Sequence, residues 1–183
     1  MKEKTMEILE KIKPQGGLND KTGIKGVVIA ELYDKDGKLK QKQEVHNLVT
    51  NVGDQYTAKK VAGASVTAMA GMKLGTATTT ASKSGSGSYI GTGSYISGSA
   101  KAFDSTYPKQ SGTTLNAVEF KRTWAAGEGT SNTINEVAIV NNTTDAGEAD
   151  ASGTFSRAVF ASTIPKGADD TLAVTWVVTF TGS

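Results

Sequence analysis

The chain has 183 residues, with 20 Lys and Arg against 18 Asp and Glu, one histidine and no cysteine. That length supports one substantial hydrophobic core. The composition excludes disulfide scaffolds, thiolate zinc sites and thiol nucleophiles, and the lone His46 cannot supply the two or three imidazoles that most catalytic metal sites use. The N-terminal stretch interleaves acids and bases with its apolar residues, so it offers no apolar region for a secretory signal. The longest apolar run, Leu172 to Val178, is interrupted by Thr175 and falls far short of the roughly 20 residues of a membrane span. A soluble protein made in the cytoplasm, with no membrane partner, is expected. Residues 1–60 carry 12 Lys and 9 acids, a mild excess, and arginine occurs only at Arg122 and Arg157. Without a basic run or a base-reading motif, nucleic acid is not an expected partner.

In chain order, the first predicted element is a short helix over Thr5 to Lys13. Thr5 serves as its cap, Met6, Ile8, Leu9 and Ile12 form an apolar stripe, and Pro14 with Gly16-Gly17 stops it. A helix this short is marginal in water and must dock on something. It can pack on its own domain, or reach a neighbouring subunit across the glycine link. The second reading makes residues 1–23 an N-terminal arm and linker, and Met6, Ile8, Leu9 and Ile12 candidate partner-binding residues.

Residues 24–183 then form a single β domain. GVVIAELY (26–33) and residues 38–49 read as strands flanking the turn Asp34-Lys35-Asp36-Gly37, where Gly37 is placed for the left-handed conformation. Asn51 is positioned to cap a helix running to Ala62, with Asp54 in its first turn, Tyr56 and Val61 as apolar contacts, and Gly63 ending it. Met72 to Leu74 is a short strand.

Residues 75–113 form a Ser/Gly/Thr-rich insertion. It contains the tandem hexapeptides GSGSYI (85–90) and GTGSYI (91–96), which in an extended chain place Tyr89 and Tyr95 on one side and Ile90 and Ile96 on the other. Two copies do not make a β-helix. The segment reads as a glycine-softened edge strand or surface loop, or as a contact loop in which Tyr89 and Tyr95 meet a partner.

Further strands follow at Leu115 to Trp124, Ile134 to Val140 and Phe155 to Phe160. The last, Thr171 to Phe180, is the clearest: Leu172, Val174, Trp176, Val178 and Phe180 share one face under the two-residue period, opposite a threonine-rich face. The predicted class is mainly β, an antiparallel sandwich or partly closed barrel with one short capping helix and the N-terminal helical arm.

Catalytic and cofactor motifs are not apparent. Gly85-x-Gly87 lacks the spacing and the following helix of a dinucleotide fingerprint. Asp34-x-Asp36-Gly37 opens like a calcium loop, but its distal Glu is misplaced and turn chemistry accounts for it. Glu119, Glu128 and Glu136 could pair as acid and base, yet nothing in their spacing selects a pair, and His46 reads as a surface residue. No catalytic residue, metal site or cofactor is assigned.

Several strings carry a resemblance: NLVTNVGDQYTAKKVAG (47–63), MKLGT (72–76), GSAKAFDSTYP (98–108), TWAAGEGT (123–130), INEVAIVN (134–141), SRAVF (156–160) and TIPKGADDTLAVTW (163–176). Together, over residues 24–181, they resemble a family of small virion proteins encoded by tailed bacteriophages. The resemblance implies a non-enzymatic, β-rich particle component located in the virion, with the major capsid protein or other virion proteins as partners. Within it, a capsid decoration or cement protein on the head is favoured over a tail, neck or fibre-attachment protein. A small carbohydrate-binding β domain is a reading from another class. Exposed strand edges and threonine-rich faces on a small β domain need covering, which predicts a homo-oligomer, a trimer or dimer.

Overall fold

The computed structural model describes residues 23–111, 115–144 and 152–181; the N-terminal stripe of Met6, Ile8, Leu9 and Ile12 lies outside them. Two five-stranded antiparallel sheets face one another. The first has the order β2-β1-β10-β7-β6, from Leu39–His46 (β2), Gly23–Tyr33 (β1), Thr171–Thr181 (β10), Ala117–Trp124 (β7) and Lys109–Gln110 (β6). The second has the order β3-β9-β8-β4-β5, from Leu48–Val49 (β3), Thr154–Lys166 (β9), Ser131–Val140 (β8), Gly71–Gly75 (β4) and Lys101–Ala102 (β5). One α-helix, Asn51–Val61 (α1), is present among the described residues. The chain is mainly β, an open β-sandwich rather than a closed barrel.

The core follows the alternation. Val28, Ala30 and Leu32 of β1 and Leu172, Val174, Trp176 and Val178 of β10 turn inward and are buried, meeting Val137, Ile139, Ala158 and Phe160 of the second sheet. Trp124 and Trp176 are both fully buried in this single core. Burial of each such side chain stabilises by roughly 1.5 to 3 kcal/mol before ordering costs. An aromatic chain ties the layers together: Tyr56 of α1 meets Phe155 edge-on with centroids 5.9 Å apart, Phe155 meets Phe120 of β7 at 6.4 Å, and Phe120 meets Phe103 at 5.3 Å.

Three local expectations need correction. The run 38–49 is not one strand. It pairs with β1 as far as His46, then crosses at Asn47 to pair with β9 as β3. Asn47 makes the corner with its side chain, donating from Nδ2 to Ser156 Oγ at 2.5 Å. The helix cap is Thr50 rather than Asn51: the Thr50 hydroxyl accepts the Gly53 N–H at 3.0 Å and donates to Thr154 O at 2.6 Å, so one hydroxyl caps the helix and ties it to β9. Val61 is not an inward contact, being 86% exposed at the last helical position.

The insertion does contribute edge strands, but most of it is neither strand nor loose surface loop. It supplies β5 and β6, the last strand at one edge of each sheet, and residues 76–95 lie over the outer face of the second sheet. Ile90 is fully buried against Ala138 and Val140, which point away from the main core, with Tyr95 packed beside them. Ile96 instead joins the main core. The two repeats therefore do different work, and the extended pattern with isoleucines on one side is not adopted: Gly85–Ser88 forms a single 3-10 turn.

Candidate interaction surface

Two buried polar arrangements hold the covering segment and the sandwich edge. On the outer face of the second sheet, Arg157 of β9 and Glu136 of β8 form a fully buried ion pair, Nε to Oε2 at 2.6 Å. Arg157 Nη1 also donates to the carbonyls of Thr79 and Gly87, at 2.9 and 3.0 Å, while Glu136 Oε1 accepts the Ala77 N–H at 2.9 Å. These charges are thus satisfied by the backbone of the covering segment, which is what makes their burial tolerable. Lys73, buried on the same face, places its ammonium 5.5 Å from the centroid of Tyr95.

At the edge where the chain passes from β5 to β6, Arg122 Nη2 meets Glu128 Oε2 at 2.6 Å and Lys101 reaches the same carboxylate at 3.2 Å. Asp104 accepts from the Thr123 N–H at 3.0 Å and from its hydroxyl at 2.8 Å. Burial alone pushes the Glu128 carboxyl up, but the Ala125 N–H and the cations of Lys101 and Arg122 outweigh it and hold Glu128 below the ordinary carboxylate range. Behind this clasp, Trp124 Nε1 donates to Ser99 O at 2.8 Å. The opposite edge is closed by amides: Gln43 donates to Ser162 O at 2.6 Å and accepts the Ser162 N–H at 3.0 Å, and Gln41 reaches Ser162 Oγ at 3.2 Å.

The glutamates weighed as an acid–base set are not brought together. Glu136 is inside with Arg157, Glu128 lies in the edge clasp, and Glu119 sits on the outer face of the first sheet near Lys109 at 3.8 Å. Asp34 is a turn residue, its Oδ1 accepting the N–H groups of Asp36 and Lys38 at 2.9 Å each, with Gly37 at φ 78°. Among the described residues no group of three or more His, Asp or Glu side chains is placed to hold a metal ion, and no helix is long and apolar enough to cross a membrane. His46 borders a shallow depression with Lys25, Val27, Val177 and Thr179. Of the two tyrosines singled out from the repeat, Tyr95 is half-buried and its hydroxyl accepts the Ala100 N–H at 3.3 Å, and Tyr89 is half-buried beside Ile90.

Among the described residues, two surfaces present apolar side chains to solvent in a form that could receive a partner. The first is the outer face of the first sheet, where Val27 pairs with Val177, Ile29 with Thr175 and Lys25 with Thr179. Val27, Ile29, Thr175, Val177 and Thr179 are only half-buried, and Lys25 is exposed. Exposed ion pairs flank them, Lys42 with Glu31 at 2.9 Å and Lys109 with Glu119 at 3.8 Å. The hydrogen bond from Lys42 holds the Glu31 carboxyl below its usual range and the Lys42 ammonium above its own.

The second surface, which the sequence did not suggest, is an apolar groove of about 380 Å³ between α1 and the end of the first sheet. It arises because α1 packs on β9 and β3 and leaves the first sheet's inward face open at this end. Tyr56, Val61 and Met69 form one wall, and Val118, Val178 and Phe180 the other. The exposed Val61 is the one signal that could have indicated it, as an apolar residue left uncovered at the end of the helix.

No protein-family model, curated protein or solved structure matches the chain.

Proposed function

We propose that the protein is a structural component of a tailed-bacteriophage virion, a decoration protein that binds the head shell and stabilises it through many copies of a modest interface. The reading begins from the sequence strings that resemble small phage virion proteins. The structural observation that favours it is the asymmetry of the two sheets: the second is covered on its outer face around Glu136, Ala138 and Arg157, while the first presents the strip of Val27, Ile29 and Val177 outward between flanking charges. An apolar centre with a polar rim is the anatomy of a protein interface. The buried charges serve the fold, pinning the covering segment and clasping the edge. Met6, Ile8, Leu9 and Ile12 complete the reading as an arm available to neighbouring subunits.

Copy number tests the proposal. Purified particles should carry the protein at a stoichiometry comparable to the major capsid protein, and particles imaged with a label on it should show density over the head. A few to some dozens of copies would move the protein to the tail, neck or fibre attachment. Turnover of host polysaccharide by the purified protein, lost on replacing the surface residue Glu119, would replace the structural reading altogether.

A further inference from the structure

We infer that the apolar groove is a docking site for the chain's own N-terminal segment: residues 5–13 lie in it through Met6, Leu9 and Ile12 before the protein meets any partner. The inference concerns the isolated protein and stands independently of the virion reading. Three observations carry it.

The chain enters the fold beside the groove. Gly23 pairs with Thr181 and Ile24 with Phe180, and Phe180 is part of the groove wall. Reach is sufficient, since the nine residues between Lys13 and Gly23 can span about 30 Å when extended. Chemistry matches: the groove is walled by apolar side chains inside the size range of pockets that enclose apolar groups, and at the helical period Met6, Leu9 and Ile12 fall on one face.

A tethered segment has an effective concentration in the millimolar range, so in dilute solution its own groove outcompetes that of a second copy. Docking also resolves how a helix too short to persist alone is stabilised. It would act as a latch, keeping the stripe covered until a neighbour offers a better site.

The absence of cysteine makes the test direct. The full chain carrying Leu9→Cys and Val61→Cys, oxidised at low concentration, should form a disulfide within the monomer. A second double variant, Leu9→Cys with Leu39→Cys, places the partner thiol at an exposed position on β2 and should not. A disulfide found only in dimers would overturn docking within the chain in favour of exchange between copies, and equal crosslinking in both variants would overturn a defined site. As an independent readout, full-length Leu9→Asp should melt at a lower temperature and bind a dye specific for exposed apolar surface severalfold more strongly. If both are unchanged, the groove is not occupied by this segment.

Discussion

The two tryptophans are both fully buried, yet they differ at one atom. Trp124 Nε1 has Ser99 O at 2.8 Å, whereas Trp176 Nε1 is buried with no partner. An unsatisfied buried donor carries its desolvation penalty without a compensating bond. Replacing Trp176 by Ala should cost roughly 3 to 5 kcal/mol and abolish soluble folding, as expected for a large core aromatic. Replacing it by Phe removes the unpaired N–H along with part of the ring, so Trp176→Phe should be milder than Trp124→Phe, which loses a satisfied bond. Denaturant titration of the pair decides the order. Gly53 gives a second case in which context reverses a propensity. Gly to Ala inside a helix ordinarily gains up to about 1 kcal/mol. A Cβ here would run into the Phe155 carbonyl and the Val49 side chain, because Thr50 draws the first turn against β9. Gly53→Ala should therefore lower the melting temperature, read by calorimetry against the parent.

At the scale of elements, the pairing of Arg157 and Glu136 with the backbone of residues 77–87 is what holds the covering segment to the second sheet. Removing one partner leaves an uncompensated charge inside. Arg157→Met alone should cost about 3 to 5 kcal/mol, and the double variant with Glu136→Leu should recover part of that. Hydrogen exchange should report faster opening of residues 76–90 in the single variant, with β1 and β10 unaffected. This covering role was not legible in the sequence. Strands with a strict period of two, β10 above all, could be read directly, because burial on one face imposes alternation on the residues. Arg157 and Glu136 lie in the parts of β9 and β8 that are buried on both faces, where alternation fades, and their further partners are main-chain atoms that no side-chain pattern encodes. The break at Asn47 was hidden for a related reason: crossing from one sheet to the other preserves the extended backbone, so the run 38–49 looks continuous. The groove was hidden as well, since it depends on where α1 settles rather than on any motif.

For the whole molecule, stability should respond to pH at both ends. The hydrogen bond from Lys40, with the Gly167 N–H and the charge of Lys166, holds the Asp170 carboxyl below the ordinary aspartate value of about 3.9. The stabilisation from this depressed carboxyl is present above that value and is lost as pH falls through its folded-state value. Lys166 behaves oppositely. Its side chain is fully buried with Ala125 O at 3.0 Å, and desolvation holds its ammonium below the lysine range despite Asp170 and Glu128 nearby. The unfolded chain then binds more protons than the folded one as pH approaches about 10.4, so this residue makes stability rise with pH in that window. Lys166→Met should remove the alkaline rise, and Asp170→Asn should flatten the acid limb, both measured as melting temperature against pH. Sedimentation at high concentration should show a dimer or trimer if the uncovered first sheet associates with itself; a monomer would leave that face for other partners.

The covering segment is attached to the second sheet through the Thr79 and Gly87 carbonyls and the Ala77 N–H, while Thr78, Thr79 and Thr80 point their side chains to solvent. A fastening made by main-chain atoms is indifferent to which residue supplies them. The exposed threonines should accept nearly any non-proline substitution while the path of the backbone persists, whereas Arg157 and Glu136, far away in sequence, should accept almost none. In a saturation library scored for folding, tolerance would thus be greatest on the wrapping and least on the two residues beneath it, so lineages of this protein could drift apart in residues 78–80 without losing a single contact that holds them in place.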